Sequence, residues 1–433
     1  MQDTSSSARL KLLLQTRGME SASTLMRELK VSRATFSRLI QALSQEIIRI
    51  GKTNQSHYAI LKQASHLESE LPTFRINGSG ALLPESRLFI CNQQTYIFMP
   101  EEKVFRGYPP EIADLIPQGF MGRAFAKKYA QELEISDRPQ DWSEDSIWKV
   151  LSKRGEDLPG NLIVGEESAT RFQRLQYKET KLSAYSSLAH TSLLGQTAGS
   201  SAGGEQPKFT AFRKGAHRLV KFGGVDKTPA QTRVRDLLIC ESHALSILSK
   251  HGIETAKTEL IEDGHFVFLD SIRFDRVGMK GRKAVLTLAA LDDFYFGKRD
   301  HWSASAERLF KEKLISASDV RKIKLLDAYG MWIGNTDRHF HNLSFLIESS
   351  QSANPKYLLA PAFDQLPMFY MPVAGQVLDK DFEPPVPYSS LIEVWIAAKK
   401  LGRLFWETVK QDSRISSSFR KIAASNLKKI DKA

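Results

Sequence analysis

Cysteine is scarce: Cys91 and Cys240 are the only two in 433 residues. Two cysteines cannot build a disulfide framework, nor a cysteine-only zinc site. Long apolar runs are missing too, and none approaches the roughly 18 residues of a membrane span. The first residues, Met-Gln-Asp-Thr-Ser-Ser-Ser, lack a basic region followed by an apolar core, so no signal peptide is read. These absences point to a cytoplasmic protein without a membrane partner. Acidic residues are in deficit, 49 against 61 basic, which leaves a formal charge of +12 and a pI near 9.4. Such a balance fits a polyanionic partner such as nucleic acid.

What is present is ordinary globular composition, 42% hydrophobic and 25% charged, in a length that suggests two or three domains. The basic excess is uneven. Residues 1–62 carry ten Lys and Arg against four Asp and Glu, a net +6. Their pattern predicts a helix over Arg9–Gln15, then Leu25 and Leu29 facing inward, a turn at Lys30-Val31-Ser32 with Ser32 as N-cap, and a last helix buried along Phe36, Leu39, Ile40 and Leu43. Arg33, Thr35, Ser37 and Arg38 face outward at its start, where a recognition helix meets phosphates and base edges. Two strand-like runs, 47–50 and 57–60, flank a hairpin tip containing Lys52. The unit resembles a winged helix-turn-helix, with double-stranded DNA as the expected partner.

The next boundaries are read as a linker at 63–71 and a β-rich subdomain at 72–168, in which no catalytic chemistry is visible. Residues 169–276 contain a small-residue loop, Ser200-Ser-Ala-Gly-Gly-Glu-Gln-Pro-Lys208, whose glycines let backbone N–H groups approach phosphate oxygens. It lacks the Gly-Lys-Ser/Thr of a Walker A motif. An alternating strand follows with Lys221 in its middle, then a helix expected over 235–251 that carries Glu241. Arg273-Phe274-Asp275-Arg276 makes an acidic and aromatic segment suited to an adenine and ribose. Residues 277–433 show mostly helical spacing.

Within that last part, Gly334 to Leu346 reads Gly-Asn-Thr-Asp-Arg-His-Phe-His-Asn-Leu-Ser-Phe-Leu. Asp337 and Asn342 stand five residues apart in a polar loop between apolar segments, the spacing of a protein-kinase catalytic base and a Mg²⁺-binding Asn. Asp364 follows in Ala-Phe-Asp-Gln, placed as a second metal ligand. Taken singly, an Asp and Asn at this spacing are most often turn residues.

In order and in register, these pieces resemble the HipA family of bacterial toxin kinases across residues 72–433. With the winged helix in front, the whole chain resembles that family's single-chain, YjjJ-like branch. The resemblance implies an α+β, two-lobed, protein-kinase-like fold behind the winged helix, and a serine/threonine kinase toxin using ATP and Mg²⁺. Lys221 would bind phosphates and Glu241 would position it. Lys208, with Gly203 and Gly204, would cover the nucleotide. Phe274 and Asp275 would contact it, Asp337 would be the base, and Asn342 and Asp364 would hold Mg²⁺. Ser200 or Ser201 matches the loop serine that the family autophosphorylates. A protein substrate is implied, aminoacyl-tRNA synthetases being known family substrates, and so is an antitoxin partner. Gln365 after the metal Asp removes any Asp-Phe-Gly. Arg338 and His341 make the loop more basic than kinase chemistry needs, which suits either a bound substrate phosphate or a different polyanionic substrate. Two other readings fit the same residues: a transcriptional regulator whose kinase-like body only senses a nucleotide, and a metal-dependent nuclease using Asp337, His339, His341 and Asp364.

Overall fold

The computed structural model describes residues 2–52, 55–63, 68–194, 206–224, 226–263, 266–347 and 357–433. At the N-terminus lie helices Gln2–Arg17, Ala22–Leu29 and Arg33–Ala42 and strands Met19–Ser21, Ile47–Ile50 and His57–Ile60. The strands form one sheet with His57–Ile60 in the middle. Ser21 and Ser32 cap the second and third helices by accepting the Thr24 and Thr35 N–H groups, which satisfies donors a helix start leaves orphaned. Lys30 makes the turn between them in the left-handed region, φ 56°. Leu25, Leu29, Phe36, Leu39 and Leu43 close over Leu10, Leu14 and Tyr58. The first helix is longer than its apolar spacing suggests, because polar residues 2–7 extend it. Strand Met19–Ser21 is three residues without alternation, too short for a sequence pattern.

The predicted linker is partly structure. Strand Glu70–Ile76 begins inside it. Before it, the Lys62 N–H donates to Ile90 O at 2.9 Å and the Asn92 N–H to Ile60 O at 3.2 Å. Ile50 and Ala59 share an apolar cluster with Cys91 and Ile97. The first unit is therefore annealed onto the second through backbone bonds and buried surface.

The middle unit is a five-stranded antiparallel sheet in the order Lys103–Arg106, Thr95–Met99, Leu82–Cys91, Glu70–Ile76, Leu162–Val164. Helices Pro110–Leu115, Gly119–Leu133, Glu144–Arg154 and Glu166–Arg174 belong to it. Trp148 and Leu151 cover Leu88, Ile90 and Tyr96.

A four-stranded antiparallel sheet follows in the order Thr258–Asp263, Phe266–Ile272, Ala216–Gly223, Lys208–Arg213. Helix Pro229–Lys250 packs against it. This helix starts before the expected Arg235, because Thr228 caps it and Pro229 takes its first turn, where a missing N–H costs nothing. Helices Leu288–Tyr295, Trp302–Lys311, Ala317–Trp332, Ile392–Gln411 and Ser417–Lys432 build the last unit around a small sheet, Val285–Thr287, Ser344–Ile347 and Tyr357–Leu359. Trp302, Trp332 and Trp406 are each at most 2% exposed and join one core with helix Pro229–Lys250. Large side chains buried to this degree each contribute on the order of 1.5–3 kcal/mol. The result is a mixed α/β chain. Among the described residues, no helix is long and apolar enough to cross a membrane.

Candidate functional site

Lys221 lies in the central strand Ala216–Gly223, paired in register with Leu269 on one side and Lys208 on the other. It is 5% exposed. Its Nζ donates to Glu241 Oε1 and Oε2 at 2.8 and 2.7 Å, and also to Asp364 Oδ1. Helix Pro229–Lys250 supplies Glu241 through its face against the sheet. Burial opposes the charge on Lys221, but Asp364 and Glu241 outweigh it and raise its pKa. Burial likewise opposes ionisation of Asp364, yet Lys221 and Lys208 hold that carboxyl below the usual range. Glu241 goes the other way, pushed up by burial despite Lys221. One ammonium between a buried carboxylate and a half-buried one leaves the more buried Glu241 poorly compensated.

The polar loop begins where helix Ala317–Trp332 ends, at Gly334 with φ 73°. Asn335, absent from the sequence-based candidates, is 1% exposed. Its Oδ1 accepts the Asp337 N–H at 3.0 Å and its Nδ2 donates to Asp364 O at 3.2 Å. One amide thus ties the Asp337 loop to the Asp364 backbone, which sits at φ 53°. A left-handed non-glycine residue persists only where its surroundings hold it. Asn342 Nδ2 donates to Asp337 O at 2.8 Å and approaches Asp337 Oδ2 at 3.4 Å. Burial raises the Asp337 pKa, opposed by His339, whose Nε2 lies 3.7 Å from Asp337 Oδ1.

Two basic residues of this loop differ in setting. Arg338 does not present its charge to a substrate phosphate. Its Nε donates to Asp327 Oδ1 at 3.1 Å and its Nη1 to Asn335 O. The strap crosses helix Ala317–Trp332 at Gly330, where an added Cβ would lie 2.6 Å from Arg338 Cδ. Asp327 is 2% exposed, and a carboxylate so buried needs a cation. His341 stays on the cleft side, its pKa lowered by burial and by Arg299.

Lys208, Lys221, Glu241, Asp337, Asn342 and Asp364 all line one cleft of about 930 Å³. Phe274 and Asp275 line it too, and the Phe274 ring lies 5.8 Å from Phe363. The expected cofactor contact by Asp275 meets an occupied carboxylate: Arg273 donates to both oxygens at 3.0 and 2.8 Å, and Arg276 and the Gly160 N–H add to Oδ2. Burial opposes this charge, but Arg273 and Arg276 drive the pKa well below the carboxylate range. Asp275 therefore serves as an ion-pair hub. Arg276 and Arg282 carry the hub to Asp157 of the middle unit at 3.3 and 3.4 Å. The middle unit, expected to hold no chemistry, forms a wall of the cleft through Asp114, Phe125, Arg154 and Asp157. Gly203, Gly204, Ser200 and Ser201 lie outside the described residues.

The donor set fits Mg²⁺ and a phosphate chain. Asp364 and the Asn342 side chain offer hard oxygens, and Lys208 and Lys221 stand opposite each other on neighbouring strands of the same wall. Among the described residues no group of three or more His, Cys, Asp or Glu converges to hold a metal, as the set Asp337, His339, His341 and Asp364 would need. In the N-terminal unit, Arg33, Ser37, Arg38 and Lys52 are exposed and Thr35 is half-buried.

Residues 67–173 match the family description "YjjJ-like toxin, middle domain" and residues 200–430 match "HipA-like C-terminal domain". Toxin YjjJ of Escherichia coli (strain K12) is 35% identical over 434 residues, covering 97% of this chain and 96% of that protein. A chain of the Shewanella oneidensis MR-1 toxin–antitoxin complex of HipA, HipB and operator DNA superposes with TM-score 0.51 over 83% of this chain and 97% of that one, at 13% identity, a likeness of fold. The Helicobacter pylori proinflammatory kinase CtkA gives TM-score 0.35 at 15% identity over 53% of this chain and 88% of that one, too loose a match to carry an argument.

Proposed function

The chain belongs to the YjjJ-like toxins with a HipA-like C-terminal domain, and from that premise we propose that it is a growth-inhibitory serine/threonine protein kinase that uses ATP and Mg²⁺. One observation carries the reading: Lys221, bonded to Glu241 and Asp364, shares a cleft with Asp337 and Asn342. Lys221 binds the phosphate chain, oriented by Glu241. Asp337 accepts the proton of the attacking hydroxyl, held in place by the Asn335 and Asn342 amides. Asn335 fixes the distance between this base and the Asp364 backbone. Asn342 and Asp364 would hold Mg²⁺, which would supply charge neutralisation for the transferred phosphoryl group.

The N-terminal unit is read as a winged helix-turn-helix that binds double-stranded DNA through Arg33, Thr35, Ser37, Arg38 and Lys52. Its order of helices and strands, its capped third helix and its net +6 support that reading. DNA binding then serves autoregulation, and either this head or a separate antitoxin restrains the kinase. The proposed substrates, a protein and ATP, and the proposed DNA partner are consistent with action in the cytoplasm. Incubating the purified chain with [γ-³²P]ATP and Mg²⁺ tests the reading. Protein-bound label in the wild type, absent from Asp337→Asn, is expected. ATP binding with no transfer would favour the nucleotide-sensing regulator instead.

A further inference from the structure

The middle unit reaches the catalytic loop through one carboxylate. Asp114, on helix Pro110–Leu115, accepts the Thr287 N–H at 2.5 Å and the Thr287 hydroxyl at 2.7 Å. Thr287 ends strand Val285–Thr287 and caps helix Leu288–Tyr295, its Oγ1 accepting the Ala290 N–H at 3.2 Å. The same strand pairs with Ser344–Ile347, placing Thr287 opposite Ser344. The Leu288 N–H donates to Leu343 O at 2.7 Å. Leu343 and Ser344 are the two residues after Asn342. Strand Val285–Thr287 and helix Leu288–Tyr295 both pack on the turn Phe340–Asn342, and helix Pro110–Leu115 packs on both of them.

We propose that Asp114 is a positioning residue for phosphoryl transfer. It fixes the Thr287 N-cap and so sets the height of the Phe340–Asn342 turn under the cleft. This rests on the kinase reading above. By accepting the Thr287 O–H, Asp114 settles the hydroxyl rotor and leaves a lone pair directed at the Ala290 N–H. The turn it supports carries Asn342, whose amide holds the Asp337 backbone. A shift of about 1 Å at such a turn costs on the order of 100-fold in rate, because in-line transfer depends on alignment. Asp114 acts through Thr287 and touches neither the base nor the metal ligands. The charged and titratable groups at this corner are Glu111 on its own helix, Arg299 after helix Leu288–Tyr295, and His341 of the catalytic loop, which also feels Arg299.

The test uses the full chain, with initial rates of ATP-dependent phosphorylation. Asp114→Ala should lower kcat by 10-fold to 100-fold and leave KM for ATP within about threefold. Asp114→Asn can still accept from the Thr287 N–H and should recover most of that loss. Thr287→Val keeps the N–H and loses the hydroxyl, and should fall between them. Wild-type rates in both Asp114→Ala and Thr287→Val would overturn the proposal. So would a parallel fall in kcat and ATP affinity in both, which marks general loss of structure. If Asp114→Ala does not fold, Asp114→Asn and Thr287→Val decide: wild-type rates in both overturn the proposal, and a kcat loss confined to Thr287→Val supports it. A wild type without phosphorylation would instead defeat the kinase reading itself.

Discussion

Lys221 donates to both carboxylate oxygens of Glu241, at 2.8 and 2.7 Å, from a position 5% exposed. The pair joins the central strand of a sheet to the helix packed on it. It turns a strand lysine inward that alternation alone would put on a solvated face.

Removing one side of this pair should affect stability and binding separately. Glu241→Ala leaves Lys221 still paired with Asp364 and should destabilise the fold by about 1–2 kcal/mol, the loss of charge-assisted hydrogen bonds and not of every counter-charge. Urea denaturation measures it. Lys221→Met keeps the stem's volume while removing the charge. It should abolish tight ATP binding in calorimetry and cost more stability than Glu241→Ala, because Glu241 and Asp364 are then left facing each other without a cation.

Asn335 gives the sharper kinetic prediction. Asn335→Ala loses the bond to the Asp337 N–H and the bond to Asp364 O together. Turnover should fall about 100-fold through misplacement of the base, while ATP affinity, set by Lys221, changes little. Equal losses in both would mean that Asn335 supports the whole cleft.

Asp114 makes a pH prediction. Burial pushes its pKa up to about 6, opposed by the hydrogen bonds from Thr287. Its folded pKa therefore lies above its unfolded value, and the folded state binds the extra proton. The stabilisation is full below the ordinary carboxylate pKa and is lost as pH rises through about 6. At about 1.4 kcal/mol per unit this is on the order of 3 kcal/mol. The wild type should lose stability relative to Asp114→Asn between pH 4 and about 6.5. Parallel urea midpoints across that window would contradict it.

The N-terminal unit should bind duplex DNA mainly through phosphate contacts. Arg33→Ala and Arg38→Ala should each weaken binding and lower the slope of log affinity against log salt by about 1. Fluorescence anisotropy across a salt series reads this, and an unchanged slope in both would remove them from the interface.

Much of the site was legible because its signals are local. Asp337 and Asn342 sit five apart between apolar segments, and Lys221 and Glu241 lie on a strand and helix whose periodicity is clear. The N-cap serines and the turn at Lys30 were equally local. What could not be read depends on the third dimension. Asn335 looks like one more polar loop residue until its amide is seen bridging Asp337 and Asp364. The charge of Arg338 points toward substrate in the sequence, whereas Asp327, eleven residues earlier, draws it across Gly330. Asp275 lies in a promising segment, but Arg273, Arg276 and Gly160 already occupy it. Asp114 is 173 residues from Thr287, a separation no spacing rule covers. One local signal was available and missed: Thr228-Pro229, a cap followed by a first-turn proline, marks the start of helix Pro229–Lys250.

The central claim is phosphoryl transfer from ATP to a protein hydroxyl with Asp337 as the base. Its most direct test compares the phosphoproteome and growth of cells expressing the wild type or Asp337→Asn at matched protein levels. The account predicts growth arrest and new phosphoserine or phosphothreonine sites with the wild type and neither with the variant. Equal arrest by Asp337→Asn, with no difference in phosphosites, would contradict it.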